Sequence, residues 1–146
     1  MRTKMFRRGD VPRRWVVVDA GDQALGRVAS VVATRLRGKH SPLFTPYEDV
    51  GEHVIVVNAD KVRLTGSKAE QKYYHSHSGY HGGARQVPIA RRRAERPEYI
   101  ITHAVRGMLP KNRLGRRLLR KLRVYTGSEH PHAAQTPEEI RIETRR

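Results

Sequence analysis

The segment WVVVDAGDQALGRVASVVATRLRG, residues 15–38, decides the fold. It opens with the apolar run Trp15–Val18, which ends at Asp19 and the turn-forming residues 20–22. A short apolar run with this ending predicts a buried strand of a parallel sheet. From Leu25 onward, apolar residues recur at the spacing of one helix face, and Gly38 stands where a helix C-terminus favours glycine. A strand followed directly by an amphipathic helix predicts an α/β layered fold.

The remainder of the chain continues this alternation. Val54–Val57 predicts a second buried strand, and residues 68–74 predict a short helix followed by a short strand. Residues 87–108 predict two short helices, the second ending near Gly107, and Leu122–Tyr125 predicts a final strand. Alternating strands and helices favour a mainly parallel sheet. The predicted core residues are Trp15, Val17, Val28, Val32, Leu36, Val56, Leu114 and Leu118.

The composition points to a polyanionic partner. Lysine and arginine number 30 against 14 acidic residues, which gives 146 residues a formal charge of +16. Like charges in such excess repel one another within the folded chain, which favours a partner that neutralises them, either a nucleic acid or an anionic membrane.

The sequence lacks a run of about 18 apolar residues and therefore predicts no membrane span. The basic residues 1–14 lack the apolar core of a secretory signal, although a short organellar targeting remnant stays an alternative. With no cysteine, disulfides and thiolate chemistry are excluded, and we expect an intracellular protein.

The most basic segment is Lys111–Arg123, which carries seven cationic residues in thirteen positions and no acidic one. Leucines alternate with the cations at helical spacing, and Asn112 is expected to cap the helix. A solvated helix usually mixes both signs of charge, because like charges repel. The segment therefore predicts a helix that packs its leucines inward and presents its cations to a polyanion.

Two further segments favour nucleic-acid contact. His75–Gly83 combines rings, hydroxyls and glycines between Lys72 and Arg85, a composition suited to stacking on unpaired bases and approaching phosphates. Arg91–Arg93 adds guanidinium groups, which match phosphate geometry. None of the familiar sequence-reading modules is evident, which favours recognition of a folded RNA by shape and phosphate. A DNA-associated chromosomal protein is the alternative within the binding class.

A phosphate-binding loop is the main enzymatic alternative. Gly21–Val28 has the spacing of G-x-x-x-x-G-K-[ST] between a predicted strand and a predicted helix. However, Arg27 and Val28 replace the lysine and the hydroxyl residue that hold phosphate and Mg²⁺ in that motif. We therefore interpret the glycines as turn residues.

Metal and hydrolytic sites have weaker support. His75 and His77 would share one face of a strand and His81 follows closely, but no acidic residue in this loop completes a zinc site. No nucleophile motif accompanies the scattered aspartates. We expect neither a catalytic residue, nor a cofactor, nor a metal.

Against this background, the chain resembles the ribosomal protein L13 family. The match includes the bacterial features Ser78–Tyr80 and Gln135–Glu138, whereas His81 stands where the family usually has proline. The resemblance spans about Trp15 to Ile140. The segments that carry it are Trp15–Asp19, Leu25–Arg27, Gly38–His40, Val57–Lys61, Thr65–Lys68, His103–Lys111, Leu114–Arg117, Leu122–Tyr125 and His130–His132.

The resemblance implies a three-layer α/β/α domain around a four-stranded parallel sheet, over residues 15–140, with a basic arm at 1–14 and a charged tail at 141–146. It also implies a non-enzymatic constituent of the large ribosomal subunit in the cytoplasm, which binds ribosomal RNA early in assembly. Expected partners are this RNA and neighbouring ribosomal proteins, with no membrane and no homo-oligomer. The candidate RNA-binding residues are Lys39, His40, Lys68, Lys72, Tyr74, His75, His77, Ser78, Tyr80, His81, Arg85, Arg91, Arg92, Lys111, Arg113, Arg116, Arg117, Arg120 and Lys121.

Overall fold

The fold was established from a computed structural model, which describes residues 5–7 and 9–142. Two single 3₁₀ turns, Ala59–Lys61 and Ala133–Gln135, accompany the strands and α-helices. None of the described helices has both the length and the apolar character needed to cross a membrane. In chain order the elements are β1 (Trp15–Asp19), α1 (Leu25–Arg37), β2 (His53–Val57), α2 (Lys68–Gln71), β3 (Tyr73–His77), β4 (Ala84–Pro88), α3 (Ile89–Glu95), α4 (Pro97–Met108), α5 (Arg113–Leu119), β5 (Leu122–Val124) and β6 (Glu138–Ile140).

A four-stranded parallel sheet forms the centre of the fold, in the order β5-β2-β1-β6. Val16 of β1 lies beside Val54 of β2, and Val18 lies beside Val56. Because side chains alternate along a strand, these four valines share one face of the sheet. That face packs against the helices and forms the main core. The predicted α/β fold with a four-stranded parallel sheet is therefore confirmed.

Helix α1 follows the predicted amphipathic pattern. Its apolar face, which includes Val28, Val32 and Leu36, is fully buried. Gly38 ends the helix in the left-handed conformation with φ 81°, and its N–H donates to the carbonyl oxygens of Thr34 and Arg35. Glycine adopts this conformation without the steric cost of a Cβ, which explains the sharp end of the helix.

The opposite face of the sheet has a different cover. Val17, Ile55 and Val57 form a small buried cluster with the partly buried Trp15 and Tyr125. The segment between β5 and β6 crosses this face from one edge of the sheet to the other. The third layer therefore consists of an irregular crossover with one 3₁₀ turn in place of an α-helix. It ends in edge strand β6, for which the sequence predicts no strand.

Two ends of predicted elements differ from the structure. The predicted loop His75–Gly83 is shorter, because β3 extends through His77 and pairs with β4 as an antiparallel hairpin. The first of the two predicted helices begins at Ile89 because residues 87 and 88 belong to β4, whereas the second ends at Met108 as expected. Six of the eight predicted core residues are buried, whereas Trp15 and Leu114 are only partly so.

The predicted N-terminal arm packs on the loop that follows α1. The Thr45 hydroxyl donates to the Phe6 carbonyl over 3.1 Å, and the Tyr47 hydroxyl lies 3.0 Å from the Met5 sulfur. Arm residues 1–4 and 8, and tail residues 143–146, lie outside the described residues.

Candidate nucleic-acid interface

Helix α5 presents the guanidinium groups that the sequence predicted. The Asn112 side chain accepts a hydrogen bond from the Gly115 N–H over 2.8 Å, so the predicted cap is confirmed. Leu118 is buried against the core, as expected. The helix covers only Arg113–Leu119, because Arg120 and Lys121 form the turn into β5. The exposed cationic residues of the segment Lys111–Arg123 are Lys111, Arg113, Arg116, Arg117, Arg120 and, in β5, Arg123.

Lys121 does not lie on this surface, and its predicted place among the RNA-binding residues is wrong. Its ammonium group forms an ion pair with Asp49 and donates to the carbonyl oxygen of Gly51 over 2.9 Å. Only 9% of the lysine side chain is exposed. A buried ammonium needs such partners because desolvation of an unpaired charge is costly. Lys121 therefore joins the start of β5 to the loop before β2.

Tyr74 is also buried rather than presented to solvent. Its ring has only 6% relative exposure and packs edge-on against Tyr99 and His103, at centroid distances of 5.4 and 5.0 Å. Burial, and the neighbouring Tyr99 after it, raise the pKa of the Tyr74 hydroxyl. Tyr74 therefore anchors the hairpin on α4, and the interpretation of this ring as an RNA contact is wrong.

The rest of the hairpin is open to solvent. His75, His77, Ser78, Tyr80 and His81 are all exposed, and Tyr80 at the tip is 80% exposed. The tip is held by hydrogen bonds between residues 78, 80 and 83, with Gly79 and Gly82 at positive φ. Five candidate residues thus stand on one projecting hairpin.

The three consecutive arginines of helix α3, residues 91–93, make different contacts. The exposed Arg91 pairs with Glu95 over 2.6 Å, a hydrogen bond that raises the pKa of Arg91 and lowers the pKa of Glu95. Arg93 donates to the carbonyl oxygens of Asp60 and Val62, and therefore anchors the helix. The Arg92 guanidinium lies 4.9 Å from the centroid of the Tyr99 ring and borders a cleft with Arg85 and Arg91.

Helix α4 connects these cations to α5. Tyr99 and His103 are one turn apart, with ring centroids 5.5 Å from each other, and Arg106 follows on the same side. Burial, followed by the charges of Lys72 and Arg106, lowers the pKa of His103, so its ring is neutral at pH 7. Sequence reasoning missed Tyr99, His103 and Arg106 as site residues. Their i, i+4, i+7 spacing was the available signal.

A cavity of about 450 Å³ lies where α4 meets α5. His103 and Arg106 border it from α4, and Lys111 and Arg116 border it from the α5 side. His103 thus contacts the rings of Tyr74 and Tyr99 and also lines this cavity. It joins the cations of α3 and the hairpin to those of α5.

We call this continuous surface the basic band. It consists of the groups linked by the ring contacts, the cleft and the cavity, together with the exposed arginines of α5 and of the turn that follows it. Its residues are Lys72, Arg85, Arg91, Arg92, Tyr99, His103, Arg106, Lys111, Arg113, Arg116, Arg117 and Arg120.

Besides Lys121, Tyr74 and the five exposed residues of the hairpin, three more predicted residues lie outside the basic band as defined by these contacts. Lys68 is exposed on α2, which packs beside α3. Lys39 is exposed just after α1. His40 lies 3.1 Å from a carboxylate oxygen of Glu52, which also pairs with Arg35. The His40 contact orders the loop that follows α1.

The phosphate-loop alternative does not fit the geometry. Val28 is fully buried in the core, and the Leu25 N–H at the start of α1 donates to the Arg63 carbonyl oxygen over 3.0 Å. The Asp19 carboxylate accepts the Gly21 N–H over 2.8 Å, which places a negative charge at the turn. These groups stabilise a strand-to-helix turn, in agreement with the structural interpretation. As for metals, no cluster of three or more potential ligands forms among residues 5–7 and 9–142.

Comparison with known proteins identifies the family. The model of the family described as Ribosomal protein L13 matches residues 13–131. The chain belongs to the ribosomal protein L13 family. This is a family of structural, non-enzymatic proteins, and the resemblance seen in the sequence is thereby confirmed.

Similar proteins from bacteria cover nearly the whole chain. A protein of Caldanaerobacter subterraneus is 52% identical over 98% of this chain and all of its own length. Those of Rubrobacter xylanophilus and Thermobifida fusca are 54% and 56% identical, over 97% and 94% of this chain and 99% and 92% of their own. Each of the three is named large ribosomal subunit protein uL13.

Proposed function

We propose that this protein is a structural constituent of the large ribosomal subunit that binds ribosomal RNA through the basic band. The observation that carries the proposal is the joining of α3, α4 and α5 into one cationic surface on a member of the ribosomal protein L13 family. Phosphate contacts to such a surface position a protein on folded RNA without reading a base sequence. The site of action is then the ribosome, in the cytoplasm of a bacterial-type cell.

The charge distribution favours binding early in subunit assembly. The free chain carries a formal charge of +16, and a basic surface of this kind is attracted to RNA at long range. Neutralising phosphates lets RNA segments approach one another, because their mutual repulsion falls. The exposed hairpin from β3 to β4, with Tyr80 at its tip, suits an irregular RNA feature in which rings stack on unpaired bases. We expect neighbouring ribosomal proteins as further partners, and no homo-oligomer.

Arg117→Ala tests the band directly. Arg117 is exposed on α5, so the substitution should weaken binding to large-subunit RNA and lower the salt slope of the affinity by about one phosphate contact. Arg141→Ala is the matched control, because Arg141 is exposed just after β6, at the opposite edge of the sheet from β5 and the adjoining α5. Filter binding across a salt series measures both variants. An unchanged slope for Arg117→Ala would contradict its assigned role.

Sedimentation of a cell lysate tests the assignment to the ribosome. The protein should sediment with the large subunit, and a free pool alone would overturn the proposal.

Competition with duplex DNA tests the alternative of a chromosomal protein. Large-subunit RNA should displace the DNA at moderate salt, and the reverse preference would favour the alternative.

A further inference from the structure

The cavity between α4 and α5 has two chemically distinct parts. Its inner walls include the apolar residues Leu109, Pro110 and Leu119, while Arg106, Lys111 and Arg116 supply cations at its border. None of the residues that line it is acidic. Its volume of about 450 Å³ falls in the range of small-molecule sites, which is about 300–1,000 Å³. A bare phosphate would leave most of this space and all of the apolar wall unused.

The walls of the cavity are held in place by packing. A Cβ on Gly115 would overlap the carbonyl oxygen of Pro110, so the first turn of α5 lies directly against the segment that follows α4. The Asn112 cap fixes the same turn, and Leu109 is 5% exposed. A cavity that already has its bound shape loses little conformational entropy when a ligand fills it.

We propose that this cavity is a socket for one unstacked nucleotide of RNA, with the base between the apolar walls and its phosphate held by Arg106, Lys111 and Arg116. The proposal rests on the proposed function and gives it a specific recognition element. Proteins read folded RNA largely through unpaired bases that leave the stack and enter protein surfaces. Leu109 and Pro110 offer apolar contact to a base, and the three cations are opposite in sign to its phosphate and to the phosphates on either side.

His103 adds a neutral ring to the same socket. Its ring borders the cavity and is oriented by the edge-on contact with Tyr74. Since the pKa of His103 is lowered, the imidazole is uncharged at pH 7 and offers one donor and one acceptor nitrogen. The ring can therefore form hydrogen bonds with a base edge while the cations contact the phosphate.

Gly107→Leu tests the socket without changing any charge. Gly107 lines the cavity, and a Cβ at this position meets no atom within 4 Å. A leucine side chain at this position would fill the part of the cavity in which we propose that the base binds. Leucine is also a better helix former than glycine, so the substitution should not disrupt α4. We expect affinity for large-subunit RNA to fall about tenfold, because base contacts contribute on that order. The salt slope should stay unchanged, since every phosphate contact is retained.

Gly26→Leu is the matched control. Gly26 is exposed in α1, and a Cβ there also meets no atom within 4 Å, but the residue lies away from the cavity. Both variants should retain the circular dichroism of the folded protein and a thermal midpoint no lower than that of the parent, and Gly26→Leu should bind RNA as the parent does. If Gly107→Leu also binds as the parent does, the socket is overturned.

Photocrosslinking identifies the occupant. Large-subunit RNA containing 4-thiouridine, irradiated with the parent protein, should crosslink to peptides spanning residues 103–119, and Gly107→Leu should lose these crosslinks. Crosslinks confined to the hairpin and α3 would overturn the socket while leaving the proposed function intact. If the parent protein prefers duplex DNA to this RNA, the proposed function itself fails.

Discussion

Lys111 and Lys121 lie ten positions apart in one basic segment and have opposite environments. Lys111 is exposed beside the α4–α5 cavity, whereas Lys121 is buried in an ion pair with Asp49. The arginines of α3 divide in the same way, since Arg93 anchors the helix through backbone carbonyls and Arg92 lies on Tyr99. At the residue scale, a cation in a basic run is therefore assigned to stability or to binding by its contacts.

Lys121→Met should destabilise the protein strongly. The substitution retains the apolar stem but leaves the Asp49 carboxylate, 11% exposed, without its cation. Removing one partner of a buried pair costs about 3–5 kcal/mol. Urea denaturation measures the free energy of unfolding.

The control for this prediction is Lys111→Met, which should change stability by no more than about 0.5 kcal/mol because Lys111 is exposed. For RNA binding we expect the opposite difference between these two variants. Lys111→Met should reduce the salt slope, and Lys121→Met, measured under conditions where it is folded, should not. Equal stability of the two variants would contradict the structural role of Lys121.

At the scale of elements, the helices were predicted well where a local signal defined them. Asn112 caps α5 and Gly38 ends α1, because each makes hydrogen bonds with residues only a few positions away. Edge strand β6 had no such signal. Residues 138–140 form a strand because they pair with Val16–Val18, which lie more than a hundred residues earlier in the chain, and no local sequence pattern reports such a pairing.

Gly115→Ala tests the contact between two elements. The new Cβ would collide with the Pro110 carbonyl, so α5 would have to move away from the end of α4. Crowding of this kind costs about 1–3 kcal/mol. Thermal and urea unfolding measure the loss, and the same shift should reduce RNA affinity because it deforms the basic band.

Gly26→Ala provides the comparison within a helix that has open space. With no atom within 4 Å of the new Cβ, the substitution should stabilise the protein slightly, by up to about 0.5 kcal/mol, because Gly26 lies in the first turn and not in the helix interior. If both alanine variants were stabilised alike, the close packing of α5 on Pro110 would be contradicted.

At the scale of the whole molecule, the excess of positive charge governs stability as well as binding. The net charge of +16 is repulsive, because 30 lysines and arginines stand against only 14 acidic residues, so that ion pairs such as Arg91–Glu95 cannot compensate most of the cations. Raising the ionic strength from about 0.02 M to about 0.3 M shortens the screening length and should raise the thermal midpoint of the free protein. Differential scanning calorimetry measures this shift. A midpoint independent of salt would show that repulsion is not significant.

The sequence by itself determined helices α1 to α5 and the strands other than β4 and β6, the capping of α1 and α5, the cationic character of the partner surface and the family. These properties follow from periodicity, local hydrogen bonding and composition, which act within a few residues or over the chain as a sum. Only the tertiary structure decided which cations face solvent and how the basic segments meet. The Lys121 ammonium lies near the carbonyl oxygens of Leu36 and Gly51, and His103 joins the rings of α4 to the cavity at α5. Burial depends on such contacts between distant residues, and no local pattern encodes them.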